Sequence, residues 1–282
     1  MLEGTPSRTA MRVAQRRAAH QVLDRPLVLD DPIALRIVEP DYAQALRDDP
    51  QGAEQSRLDP YFRAFMAVRS RFAEDMLAAA VKRGVRQYVL LGAGLDTFAY
   101  RNPYPELRVF EVDFPATQQW KRYRLDEGGI AVPASLTFAP VDFEHQTLAQ
   151  GLADAGFDRA APAQFTMLGV VPYLTLDALD STWGFVGSGA KGSGLVFDYS
   201  IPPELMGPIG RRIYQAMAER VAAAGEPFKT AFVPEHLQRR LRGLGFSTFD
   251  DLSGDEINAR YFSGRGDGLK VGASGRLMSA LT

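Results

Sequence analysis

The sequence predicts an α/β protein built on a doubly wound, mostly parallel sheet of seven strands. Short apolar runs alternate with stretches of helical composition through the middle of the chain, an order typical of strands joined by crossover helices. The first of these runs ends in Gly92-Ala93-Gly94, and the second ends in an acidic residue, Asp113. With 282 residues and 46% hydrophobic content, the chain fits one large domain.

Seven segments are predicted as strands because each is short, apolar and bounded by turn residues. They are 88–91, 107–113, 136–141, 164–170, 193–199, 246–249 and 276–281. Helical composition lies between them at 116–126 and 147–155. Because ligands of such sheets bind outside the carboxyl ends of the strands, the residues that follow the strands are candidate binding residues.

Residues 1–84 are predicted to form a helical cap, with long helices at 9–23 and 61–83. In the second helix Arg69 lies within the apolar stripe, whereas Arg71 shares its face with acidic residues and is predicted to be solvated. An inward-pointing arginine needs an anionic partner, because an unpaired buried charge costs several kcal/mol. That partner is either a carboxylate of this protein or an anionic group of a ligand.

The Gly92-Ala93-Gly94 turn allows positive φ and a close approach of the backbone to a ligand. A dinucleotide-binding fingerprint would have a third glycine where this chain has Thr97, so a pyrophosphate is not expected. Asp113 stands where a carboxylate can bind a ribose diol. A nucleoside without phosphates fits this pattern, and a turn that binds nothing is the alternative.

Three later strand ends carry further candidates. Asp142 can accept a hydrogen bond from an adenine amino group or cap a helix, and Phe143 offers a backbone amide and an apolar face. Gly169 permits close backbone approach, or simply packs. Tyr173 and Tyr199 follow the fourth and fifth strands, where their phenol groups can orient an acceptor oxygen or serve only packing.

The core predicted to bind a cofactor spans 85–200 and is followed by an insertion, 201–236, before the chain returns to the sheet at 237–282. Prolines and glycines flank a predicted helix, 211–224, within the insertion. Long insertions often determine specificity, so this segment is predicted to be a lid over the crevice. A surface excursion without a role is the alternative.

Three blocks of residues, QYVLLGAGLDTFAYR, FEVDFP and LGVVPYL, match a known family. The chain resembles the S-adenosylmethionine-dependent methyltransferases related to leucine carboxyl methyltransferase and to polyketide O-methyltransferases, from about Arg8 to the C-terminus. The resemblance implies a Rossmann-like class I methyltransferase fold with S-adenosylmethionine as the cofactor. Residues between 200 and 234 match least.

The resemblance also implies roles for single residues. Arg69 would hold the methionine carboxylate, and Asp142 and, more weakly, Phe143 would contact adenine. The other residues expected to bind the cofactor are Gly92, Ala93, Gly94, Asp113 and Gly169. Leu168 departs from the family, because many relatives have an acidic residue at that position.

Composition excludes several classes of function. The chain has no cysteine, so disulfides, thiolate nucleophiles and cysteine-bound metals are absent, and its three histidines show no metal-binding spacing. A net charge of −2 argues against nucleic acid as a partner. No apolar run reaches the ~20 residues that span a bilayer, and no signal peptide is apparent, so a cytoplasmic protein is expected.

The expected activity is O-methylation of a carboxyl or acidic hydroxyl group on a small molecule such as a secondary metabolite. No general base is evident, and a carboxylate or acidic phenol needs none at neutral pH. Tyr214 and Phe228, both in the insertion, favour a small planar acceptor. The alternatives are a protein C-terminal carboxyl methyltransferase, a noncatalytic nucleoside-binding protein and, least favoured, an NAD-dependent oxidoreductase.

Overall fold

The protein is described by a computed structural model covering residues 8–52, 56–142, 145–223 and 225–282. Within them, the strands in chain order are β1 (Gln87–Leu91), β2 (Arg108–Asp113), β3 (Leu136–Pro140), β4 (Gln164–Met167), β5 (Gly194–Ser200), β6 (Thr248–Leu252) and β7 (Gly275–Leu281). They form one sheet in the order β3-β2-β1-β4-β5-β7-β6. The first five strands are parallel, and β7 is antiparallel to both of its neighbours. The predicted mostly parallel, seven-stranded sheet is confirmed.

Helices of the described residues lie before the sheet and between its strands. They are α1 (Arg8–Leu23), α2 (Ala34–Ile37), α3 (Pro40–Asp48), α4 (Asp59–Lys82), α5 (Pro115–Glu127), α6 (Leu148–Asp154), α7 (Leu176–Gly187), α8 (Pro208–Ala223), α9 (Pro234–Gly243) and α10 (Gly254–Ile257). Short 3-10 turns occur at Phe98–Arg101, Val171–Tyr173 and Pro203–Leu205, and a π-helical turn follows α10 at Asn258–Phe262. Helices α7 and α9 lie in segments for which no helix was predicted.

Two strand boundaries differ from the prediction for local reasons. The strand predicted at 164–170 ends at Met167, because Gly169 has a φ of 70° and turns the chain out of the sheet. The strand predicted at 246–249 begins at Thr248, because the amide of Phe246 bonds to the carbonyl of Leu241 at the end of α9. Both shifts leave the sheet order unchanged.

The N-terminal helices pack on the sheet through an apolar cluster of their own. Alanines 14 and 18 of α1 and Ile37 of α2 are fully buried in it, together with Leu95 of the loop after β1 and Leu125 of α5. Helix α1 also crosses α4, which packs against β4, β5 and β7. The helices thus lie directly beside the carboxyl end of β1.

A search of the described ranges for a helix long and apolar enough to cross a bilayer finds none. The longest helix, α4, carries several charged residues, and two of its arginines are buried. Its apolar face is therefore used for packing within the protein.

Candidate active site

The loop after β1 is held in place by its neighbouring strand. The amides of Gly92 and Ala93 both donate to the carbonyl of Val112, and Gly92 and Gly94 have φ values of 67° and 45°. A Cβ on Gly92 would stand 2.5 Å from a methyl carbon of Val170. Glycine is therefore required at position 92 by both backbone conformation and the closeness of the next loop.

Asp113 ends β2 beside this loop. Its carboxylate accepts hydrogen bonds from the amide of Gly94 at 2.6 Å and from the amide of Phe114 at 2.7 Å. Burial raises the pKa of Asp113, and the two hydrogen bonds and the charge of Lys121 oppose that rise. Each carboxylate oxygen keeps a second lone pair, so Asp113 can hold the loop and accept hydrogen bonds from a diol at the same time.

Arg69 lies on the other side of the loop, with 6% of its surface exposed. Its Nη1 atom is 3.2 Å from a carboxylate oxygen of Asp198 on β5, and the second oxygen of Asp198 accepts from the amide of Gly169 at 2.5 Å. A Cβ on Gly169 would stand 2.8 Å from the Arg69 guanidinium. The buried cation that was predicted from the apolar stripe therefore has an internal partner and faces the turn after β4.

Asp198 was missed in the sequence as a site residue. A signal was present, because it is the one charged residue within the apolar strand β5 and such a residue needs a buried partner. The sequence could not show that the partner is Arg69, which lies 129 positions earlier. Arg71, by contrast, is half exposed and pairs with Asp75, as predicted for a solvated face.

The predicted residues around the sheet edge form a continuous series. Asp113 bonds to Gly94, Gly92 contacts the turn after β4, and Gly169 in that turn contacts Arg69. Asp142 follows β3 on the outer side, where the amide of Val141 donates to the carbonyl of Asp113. The structure therefore brings these positions to one edge of the sheet, at the carboxyl ends of its parallel strands, and Phe143 lies outside the described residues.

Asp142 itself bonds to His145, with 2.9 Å between Oδ2 and Nδ1. Its carbonyl also accepts from the amides of His145 and Gln146 at 2.9 and 2.7 Å, in a turn. The cap of the following helix α6 is Thr147 instead, which forms a capping box with Gln150. The alternative role of Asp142 as the helix N-cap is therefore wrong, while its contact with adenine stays a prediction.

Thr97 replaces the third glycine of a dinucleotide fingerprint, and the structure shows what its side chain does. Its hydroxyl donates to Asp31 at 2.6 Å, and both residues are buried. Asp31 also lies 3.8 Å from Nε of Arg17 and 3.4 Å from Nε of Arg101, while Arg17 donates to the carbonyl of Leu95 at 2.6 Å. These contacts join the loop after β1 to α1 and to the segment between α1 and α2, an arrangement that the sequence pattern did not reveal.

A fully buried ion pair lies beneath the loop. Nζ of Lys121 on α5 is 2.7 Å from Oε2 of Glu111 on β2, and the hydroxyl of Tyr100 donates to the same oxygen at 3.3 Å. Burial raises the pKa of Glu111 to about 7, although the charge of Lys121 opposes the rise. The charge of Lys121 also opposes the rise that burial causes in the pKa of Asp113, so one cation acts on both carboxylates of the strand.

Tyr173 follows β4 in a 3-10 turn and lies under the segment after α8. The amides of Lys229 and Thr230 donate to the carbonyl of Pro172 at 2.6 and 3.3 Å, and the hydroxyl of Thr230 donates to the carbonyl of Val171. The rings of Tyr173 and Phe228 are 5.4 Å apart, and those of Phe228 and Tyr214 are 5.5 Å apart. Burial raises the pKa of Tyr173 to about 12, so its phenol stays protonated.

Tyr199 lies elsewhere, and its predicted role in orienting an acceptor needs correction. Its hydroxyl bonds to both carboxylate oxygens of Asp251 on β6, at 3.0 and 2.9 Å, and accepts from Arg276 on β7. Successive strand residues face opposite sides of the sheet, so Tyr199 points away from the side that Asp198 occupies. Its ring packs in the core, 1% exposed.

Comparisons with known proteins agree with this architecture. The family described as leucine carboxyl methyltransferase matches residues 10–187. YktD of Bacillus subtilis (strain 168), a proposed S-adenosyl-L-methionine-dependent methyltransferase, is 33% identical over 297 positions, covering 96% of each chain. Another from Mycolicibacterium smegmatis (strain ATCC 700084 / mc(2)155) is 34% identical over 206 residues, covering 70% of this chain and 64% of that protein.

Solved structures show the same fold at low sequence identity. A proposed methyltransferase from Thermobifida fusca YX aligns with a TM-score of 0.59 and 16% identity, covering 100% of this chain and 96% of the other. A protein of the duf574 family from Streptomyces avermitilis MA-4680 aligns with a TM-score of 0.58 and 16% identity, covering 95% and 97% of the two chains. These likenesses concern the fold alone.

Proposed function

Because the chain belongs to the leucine carboxyl methyltransferase family and is an S-adenosylmethionine-dependent methyltransferase, we propose that it methylates an oxygen atom of a small molecule. The acceptor group is a carboxyl or acidic hydroxyl group, and the acceptor belongs to a class such as secondary metabolites. Membership in this family argues against the noncatalytic and the NAD-dependent alternatives. Neither nucleic acid nor membrane is proposed as a partner, and the cytoplasmic location stays a prediction.

The charged groups at this edge of the sheet fit the cofactor. The buried guanidinium of Arg69 suits the methionine carboxylate, and Asp113 suits the ribose diol. A Cβ on Gly92 would meet the side chain of Val170 and one on Gly169 would meet the guanidinium of Arg69, so both turns require glycine. In this proposal, Ala93, Gly94, Asp142 and Phe143 complete the binding residues.

S-adenosylmethionine supplies, when bound, a methyl group on an already activated leaving group. The protein therefore mainly has to align the acceptor oxygen with that methyl group and exclude water. Tyr173 is suited to the first task, since its protonated phenol can donate a hydrogen bond to the acceptor. The segment 226–232, which is hydrogen-bonded to the 3-10 turn after β4, is suited to the second task.

The observation that favours a small acceptor is a row of contacting aromatic rings beside the turn after β4. Tyr173, Phe228 and Tyr214 form a series of ring contacts that joins α8 to the turn after β4. Such a surface suits a planar or apolar small molecule, whereas a peptide C-terminus needs an open and polar channel. This supports 201–236 as a lid and leaves protein carboxyl methylation as the second candidate.

The acceptor class is tested by incubating the protein with methyl-labelled S-adenosylmethionine and separate pools of small organic acids, phenolic metabolites and peptides. Label is expected in the small-molecule pools as base-labile esters or stable methyl ethers. Label confined to peptide C-termini would select the second candidate. Label on nitrogen would contradict the proposed chemistry altogether.

Asp113→Ala is expected to lower the affinity for S-adenosylmethionine by roughly 10- to 100-fold, because it removes charge-assisted hydrogen bonds worth ~1.5–3 kcal/mol. Calorimetric titration measures the loss. Asp126→Ala is the matched control, since Asp126 lies on the exposed face of α5. Normal affinity in a folded Asp113→Ala variant would remove the ribose contact from the proposal.

A further inference from the structure

Glu226 lies where the segment after α8 meets the beginning of α1. Its carboxylate accepts a hydrogen bond from the hydroxyl of Thr9, although 217 positions separate the two residues. Its amide donates to the carbonyl of Val221 at 2.9 Å, which holds it against the last turn of α8. Glu226 is partly buried, and its position is set by the contact of its carboxylate with Thr9 and of its amide with Val221.

This contact lies beside the loop after β1. Ala10 follows Thr9, and its Cβ is 3.3 Å from the place that a Cβ on Gly94 would occupy, so the beginning of α1 packs on that loop. The Tyr173 phenol lies close to both residues, because the charge of Glu226 adds to the rise that burial causes in the pKa of Tyr173, and the Thr9 side chain opposes that rise. Thr9 and Glu226 thus lie between the loop after β1 and the aromatic rings of Tyr173, Phe228 and Tyr214.

We propose that Glu226 is the general base for a hydroxyl group on a planar aromatic acceptor. This inference rests on the proposed function and narrows it from oxygen acceptors in general to phenols. Thr9 shows that the Glu226 carboxylate accepts a hydrogen bond from a hydroxyl at this place, and a phenol that displaces Thr9 would donate to the same oxygen. A carboxylate acceptor is disfavoured, because the negative charge of Glu226 would repel it and its ionised form needs no base.

The proposed step is balanced without a further reactant. The acceptor O–H bond breaks and its proton passes to the Glu226 carboxylate. The acceptor oxygen forms a bond to the methyl carbon as the carbon–sulfur bond breaks, and the electron pair of that bond stays on sulfur. Glu226 later returns the proton to water, and Tyr173 holds the acceptor oxygen through its own O–H group.

The first test is spectroscopic and uses no cofactor. The probe is 4-nitrophenol, whose absorbance reports whether its hydroxyl is ionised. Beside the Glu226 carboxylate its ionisation is disfavoured, so the bound probe should titrate at higher pH on the wild-type protein than on Glu226→Gln. Identical titration on the two proteins, or no saturable binding of phenols to the wild type, would overturn the inference.

The second test compares two acceptors of different acidity. Turnover of phenol, whose pKa is near ~10, should fall by about 10²- to 10⁴-fold in Glu226→Gln, the range for loss of a general base. Turnover of the more acidic 4-nitrophenol should fall much less, because its ionised fraction needs no base. Glu219→Gln is the control, since Glu219 is an exposed carboxylate on the same helix as Val221.

The Thr9→Val variant tests whether Glu226 acts as a base or only helps to close the site through its hydrogen bond with Thr9. It removes the hydroxyl that holds Glu226 and leaves the carboxylate, so KM should change while the ratio of phenol to 4-nitrophenol turnover stays that of the wild type. If Thr9→Val and Glu226→Gln alter that ratio equally, the pair serves closure and the inference is wrong.

The acceptors that become methylated distinguish the role of Glu226 from the proposed function as a whole. Methylation of small carboxylic acids with no activity on phenols would overturn the role of Glu226 and leave small-molecule O-methylation intact. Methylation of peptide C-termini alone would remove both. Calorimetric affinity for S-adenosylmethionine should be equal in the wild type and Glu226→Gln, and a loss there would point to a cofactor contact instead of a base.

Discussion

Replacing Arg69 with alanine is expected to weaken S-adenosylmethionine binding by roughly 10- to 100-fold or more, because a charge-assisted hydrogen bond is worth ~1.5–3 kcal/mol. The variant also leaves Asp198 buried without its cation, so the charge of Asp198 would add repulsion toward the methionine carboxylate. Arg69→Lys should also bind poorly, since lysine lacks the planar fork that contacts two oxygens at once.

Arg71→Ala is the matched control for this experiment. It removes the same side chain two positions along α4, where the guanidinium is half exposed and pairs with Asp75. Calorimetric titration of the three proteins gives the affinities, and thermal unfolding shows whether each variant is folded. Equal losses in Arg69→Ala and Arg71→Ala would mean that the effect arises from α4 as a whole and not from a ligand contact.

Lys121→Met is expected to lower the free energy of unfolding by ~3–5 kcal/mol, because it leaves the buried Glu111 without its cation. The loss of unfolding free energy should be larger at about pH 8 than at about pH 5.5, because the buried carboxyl of Glu111 can take up a proton in the more acidic buffer. Chemical denaturation at both values measures the difference.

The direction of this pH dependence follows from the pKa of Glu111. In the folded protein it is about 7, above the ordinary value of 4.5, so the folded state holds the proton more tightly than the unfolded state. This contribution to stability is full below the unfolded value and is lost as pH rises toward the folded value. Without Lys121 the folded value rises further, and the loss extends to higher pH.

A double variant provides the control. Glu111→Gln combined with Lys121→Met replaces the ion pair with neutral groups and should recover much of the stability at the higher pH. It should also remove the pH dependence that Lys121→Met shows. A Lys121→Met protein as stable at about pH 8 as the wild type would mean that water reaches Glu111 and that the pair is not truly desolvated.

The parts of the site that could be predicted are those determined by short stretches of sequence. Gly92, Gly94 and Asp113 lie at the ends of two adjacent buried strands. A tight turn with positive φ after a strand requires glycine, and the acidic strand end is visible in a few neighbouring residues. Arg69 could be predicted because helical periodicity placed it within the apolar stripe, and the structure buries it.

The parts that could not be predicted depend on contacts between distant residues. Asp198 and Tyr199 are neighbours near the end of one strand, and the sequence does not show which of them faces the crevice. The contact of Thr9 with Glu226 joins residues 217 positions apart and depends on how α1 and α8 are placed. Thr97 was recognised as a departure from a fingerprint, but its partner Asp31 lies 66 positions earlier in a connecting segment.

If the loop after β1 binds the nucleoside as proposed, its contacts through Thr97, Asp31 and Arg17 link ligand affinity to the local unfolding of α1. When α1 detaches, the carbonyl of Leu95 loses the guanidinium of Arg17, and the loop loses a contact that orders it. Bound nucleoside must then suppress the opening of α1 by the free energy of binding, RT ln(1 + [L]/Kd). The amide protons of α1, which includes no predicted binding residue, would therefore report cofactor occupancy through their exchange with solvent.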